Sequence, residues 1–72
     1  MIEIIIKSKT KEETTVKNIR EITYYSPLGS KETDTIINKS DVLMNNWHGV
    51  TTFVGESSFI IDRKDIESIE VK

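Results

Sequence analysis

The chain has 72 residues, 36% of them apolar and 31% charged, with ten Lys and Arg against twelve Asp and Glu. It has no Cys, which excludes a disulfide scaffold and a Cys-ligated zinc site, and no apolar run approaches the roughly twenty residues of a membrane span. A net charge of only -2, with 12 Ile, 5 Val and 8 Thr but no Ala, excludes strong disorder and predicts a small strand-rich domain.

Ile2-Glu3-Ile4-Ile5-Ile6-Lys7 is the clearest strand. Ile2, Ile4 and Ile6 share one face at period two, and Ile5 makes the other face partly apolar. A strand apolar on both sides belongs in the middle of a sheet or at an interface. Residues 8–13 are polar and form a turn. Residues 11–23 leave two readings open. Thr10-Lys11-Glu12-Glu13 fits a T-x-x-E capping box, and Val16, Ile19 and Ile22 recur at a helical spacing. Against the helix stand Thr14, Thr15, Val16, Ile19, Ile22 and Thr23, all β-branched. The strand reading is preferred. It puts Val16, Ile22 and Tyr24 on one face and Ile19 and Tyr25 on the other, with a bulge near Lys17-Asn18.

Ser26-Pro27-Leu28-Gly29 has the composition of a β-turn. Residues 30–35 are a polar connection, and Ile36-Ile37 is a brief strand or the staple before a helix. Ser40 then caps one helical turn over residues 41–46. Gly49 to Val54 and Phe59 to Ile61 form a hairpin across Gly55-Glu56-Ser57-Ser58. After the charged turn Asp62-Arg63-Lys64-Asp65, Ile69 and Val71 alternate along a last strand, with a helix capped by Asp62 as the rival.

The fold expected is one mainly β domain over residues 1–72, with five or six strands and one short helical turn. The strands form a small barrel or a strongly bent antiparallel sheet. The order of hairpin, polar excursion, hairpin, tight turn and short last strand resembles small SH3-like barrels in strand pattern alone. A fold of that kind carries no function with it.

The chemistry-bearing residues are few. His48 is the single histidine, and as a lone surface imidazole it lacks the partners of a general base or a metal site. Trp47, among Asn45, Asn46, His48 and Gly49, is a candidate partner anchor; a plug for one end of the core is the stronger reading. Tyr24 and Tyr25 face opposite sides of a strand, so one joins the core and the other is left as a contact. Lys7, Lys9, Lys11, Lys17 and Arg20 give residues 1–20 a net charge of +2 against -4 for the rest. That excess is a solvated hairpin before it is a phosphate groove. Glu56, Asp62, Asp65, Glu67 and Glu70 alternate with bases and apolar residues as a solvated face does. No catalytic constellation emerges, and no cofactor, metal or membrane partner is expected.

The function these features favour is a non-catalytic protein-binding module using Trp47, His48, Tyr24 and Tyr25. The alternatives are a single-stranded nucleic-acid binder using Lys7 to Arg20, and a homo-oligomer pairing its Ile-rich first strand. Residues with A+T-rich codons total 30 and those with G+C-rich codons 6, which fits a low-GC bacterium or its phages and plasmids. An inhibitor or regulator of a host protein is one version of the module. MIEIIIKSK lacks the basic start and long apolar core of a signal peptide, so a cytoplasmic location is expected.

Overall fold

The computed structural model describes residues 1–72 as seven antiparallel strands in two open sheets. The strands are β1 (Ile4–Ser8), β2 (Glu13–Val16), β3 (Glu21–Tyr25), β4 (Lys31–Thr35), β5 (His48–Val54), β6 (Ser58–Asp62) and β7 (Ile66–Val71). One sheet has the order β2-β1-β7, the other β4-β3-β5-β6.

The Ile-rich start behaves as its two-sided pattern requires. Ile4 and Ile6 are buried, and β1 lies between β2 and β7, with Ile4 opposite Val16 and Val71, and Ile6 opposite Thr14 and Ile69. Residues 11–23 hold no helix: Glu13–Val16 is β2 and Glu21–Thr23 begins β3, as the β-branched content favours. Thr10 belongs to the β1–β2 turn instead of capping a helix: Ser8 N–H donates to Glu12 O, and Lys11 takes a left-handed φ of 73°. The parity change between Val16 and Ile19 is a break between strands, more abrupt than a bulge. At Asn18, φ 52°, the chain leaves the first sheet for the second. Ile19 N–H then donates to Ile2 O and Arg20 N–H to Val54 O, stitching the crossing to both sheets.

Four expectations are corrected. Residues 31–35 are a strand instead of a connection, because Thr23, Tyr24 and Tyr25 pair with Thr33, Glu32 and Lys31. That raises the strand count to seven. A short helical turn does stand within residues 41–46, at Met44–Asn46, but Ser40 does not cap it and lies inside a preceding turn. Two 3-10 turns, Lys39–Asp41 and Met44–Asn46, stand there, and the Asp41 carboxylate accepts the backbone N–H groups of Ile37 and Asn38, both at 2.9 Å. These bonds favour the ionised carboxylate and hold its pKa below the ordinary aspartate value. Finally, the barrel does not close. No ladder joins the two sheets, and β2 and β6 face each other across a gap.

The core lies between the sheets. It comprises Ile4, Ile6, Val16, Ile19, Ile22, Tyr24, Ile36, Trp47, Phe53 and Ile66. The Trp47 and Phe53 rings meet edge to face with centroids 5.3 Å apart, and Phe53 stacks on Phe59 at 6.4 Å. The Arg63–Asp65 turn leads from β6 into β7. Asp62 Oδ1 accepts Lys64 N–H at its start, and Arg63 Nε donates to Met44 O, tying the turn to the segment before Trp47.

Candidate functional site

Two of the four proposed contact residues are interior. Trp47 is 2% exposed and packs on Phe53, which removes it as a surface anchor. Its polar neighbours belong to the Met44–Asn46 turn and the start of β5, and the turn delivers the ring inward. Tyr24 is also buried; its Oη donates to Asp34 Oδ2 at 3.0 Å across the β3–β4 pair. Burial, then this hydrogen bond to a carboxylate, pushes the phenol above the ordinary tyrosine value.

That shift has a consequence at alkaline pH. A folded-state value raised above the unfolded one contributes stability below the unfolded value, and loses it as pH rises through the folded value. Tyr24→Phe is therefore expected to flatten the alkaline fall in stability. The check is thermal melts of both proteins from neutral to strongly alkaline pH.

Tyr25 and His48 are the two that do come together. They are register partners across β3 and β5, and both are exposed. Between Thr23 and Tyr25 the pairing shifts, so β5 carries extra residues against β3 here; Gly49, at φ 65°, lies against the Tyr25 ring. This irregularity sets Tyr25 beside His48, a pairing the sequence does not announce.

Alternation along the sheet identifies the rest of that face. Thr33, Thr23, Thr52 and Ile60 form one cross-strand row, and Val50 lies opposite Asp62. Thr23 and Thr33 hydroxyls are hydrogen-bonded at 3.1 Å. The outward side therefore presents Tyr25, Val50 and Ile60 among threonines and His48. Val50 and Ile60 were not singled out from the sequence. The available signal was the run Phe59-Ile60-Ile61, which must put one apolar side chain outward whatever the register.

The basic residues do not gather into one stripe. Lys7, Lys9 and Lys11 lie at the turn end of the β1–β2 hairpin, whereas Lys17 and Arg20 lie at its other end, where the chain crosses between sheets. Lys7 stands opposite Glu13, and Lys11 Nζ donates to both Glu67 carboxylate oxygens, at 2.7 and 2.9 Å. The Lys11 bond leads the effects that hold the Glu67 carboxyl below its ordinary value. Lys9 borders the gap between β2 and β6, a groove of about 290 Å³ with Ile6, Phe59 and Ile61 on its apolar side.

Comparison of the chain with protein-family models, with curated proteins and with solved structures finds no match in any of the three.

Proposed function

We propose that the chain is a small non-catalytic protein-binding module that acts stoichiometrically through the outward face of β3, β5 and β6. The observation that carries this reading is the shared exposure of Tyr25, Val50 and Ile60, at 37%, 49% and 63%, on one sheet face. Large apolar groups kept in water on a flat surface and rimmed by threonines have the anatomy of a contact patch. Tyr25 is the natural anchor, because an aromatic ring with a polar tip contributes area at small entropic cost. This face replaces the one centred on Trp47. The return of β7 beside β1 after the Arg63–Asp65 turn supports an SH3-like strand order for the scaffold. The A+T-biased residue usage supports a phage- or plasmid-encoded inhibitor or regulator of a host protein as the particular form of the module.

Affinity capture from a low-GC bacterial lysate, with and without nuclease, tests the reading. The expected result is one host protein retained in stoichiometric amount after nuclease treatment. Recovery that disappears with nuclease would transfer the reading to nucleic acid, and recovery of nothing would remove the module.

A further inference from the structure

The outward face of the four-stranded sheet is unevenly charged along its length. Lys31 on β4, Tyr25 on β3 and His48 on β5 are register partners in turn, so they stand side by side across three adjacent strands. Register partners place their side chains on one face, with Cβ atoms about 5 Å apart. All three residues are exposed. At the other end of β3, Glu21 lies opposite Thr35 and Val54 and is the acid of that end. The acids nearer the Lys31 row are engaged or turned away. Asp62, opposite Val50, accepts Lys64 N–H at 3.1 Å. Glu32 is the register partner of Tyr24 and so belongs to the opposite face. Lys11–Glu67 is the one ion pair of the chain, which leaves Lys31 without an acidic partner.

We infer that this end of the face receives an acidic residue of the partner, in a segment that sets an aspartate or glutamate beside an apolar side chain. The inference rests on the contact face proposed above and names the chemistry that it recognises. The row offers three donors: Lys31 Nζ, Tyr25 Oη and an imidazole N–H, which the His48 ring carries in either protonation state. An ionised carboxylate has acceptors and no donor, and it complements such a row. The charge also fixes a direction. An acid is attracted at the Lys31 end and repelled by Glu21 at the other, so its apolar neighbour falls on Val50 and Ile60. A polynucleotide is the rival anion, but a chain of net charge -2 with Glu21 on the same face gives it no basic track.

The test is selection from a displayed random peptide library on wild type, followed by calorimetric titration of one selected peptide, with circular dichroism confirming the fold of each variant. Peptides in which Asp or Glu adjoins an apolar residue are expected. Lys31→Glu, at an exposed position, is expected to weaken the peptide by on the order of tenfold. Exchanging the peptide's acid for Lys is expected to weaken binding to wild type similarly and to restore binding to Lys31→Glu. Peptides that bind Tyr25→Ala as tightly as wild type would show that the contact face itself is misplaced. Peptides that need Tyr25 but carry no acid, or whose acid can be exchanged for Lys without loss, would overturn the inference alone. A selection that yields no peptide, or tighter binding of oligothymidylate than of the acidic peptide, would overturn it as well.

Discussion

Trp47→Ala is expected to leave the chain marginally stable, with at most about 2 kcal/mol of its folding stability remaining. The side chain is 2% exposed, and its ring contacts Phe53, the residue that joins it to Phe59. Truncating a buried tryptophan to alanine costs about 3–5 kcal/mol through lost transfer energy and the cavity left behind. A domain of this size has a total stability of only about 5 kcal/mol. The substitution removes most of it. Chemical denaturation followed by far-UV circular dichroism checks the prediction; a folded variant within about 1 kcal/mol of wild type would mean that the ring does not fill the core.

The second large effect is at Gly55, where the requirement is space. A Cβ there would fall on the Lys17 carbonyl oxygen, 2.9 Å from Val16 Cγ1 and 3.0 Å from Asn18 O. Two of these three neighbours are backbone atoms of the crossing between the sheets, so no rotamer change relieves the clash. Gly55→Ala must push the β5–β6 hairpin away from the end of β2 and strain the Glu56 N–H bond to Lys17 O. The expected loss is about 2–3 kcal/mol, at the upper range of overpacking. Gly29→Ala is the control. Its site has φ 86° but nothing within 4 Å, so only the left-handed backbone is penalised, by about 1 kcal/mol. Urea midpoints of the two variants should fall in that order. Equal losses would mean that the two sheets are not pressed together at Gly55.

What was legible in the sequence follows from where apolar residues alternate. The two-sided pattern around Ile5 correctly predicted a central strand, and the β-branched run from Thr14 to Thr23 correctly favoured strands over a helix. β4 was illegible because Lys31-Glu32-Thr33-Asp34-Thr35 contains no apolar residue; it is a strand by virtue of its partner, through the β3 register and the Tyr24–Asp34 bond. The closed barrel was over-read because no residue pattern says whether the edges of two sheets will join: β2 and β7 end one sheet, β4 and β6 the other, and no ladder links them. The candidate site was half legible. A pair of adjacent tyrosines guarantees one inward and one outward ring, and Tyr24 and Tyr25 divide in that way. Trp47 misleads as a contact because its sequence neighbours are polar while its spatial neighbours are not. The Tyr25–His48 pairing depends on the shifted register at Gly49, a tertiary feature that composition does not encode.

The division of labour between core and outward face is tested most directly by affinity capture with three forms of the protein. Trp47→Phe keeps an aromatic ring in the core, and Tyr25→Ala truncates an outward side chain beside His48. Wild type and Trp47→Phe are expected to recover the same host protein after nuclease treatment. Tyr25→Ala, folded by circular dichroism, is expected to lose most of it. Undiminished recovery by Tyr25→Ala, or loss of the partner by a folded Trp47→Phe, would contradict the assignment of binding to this face.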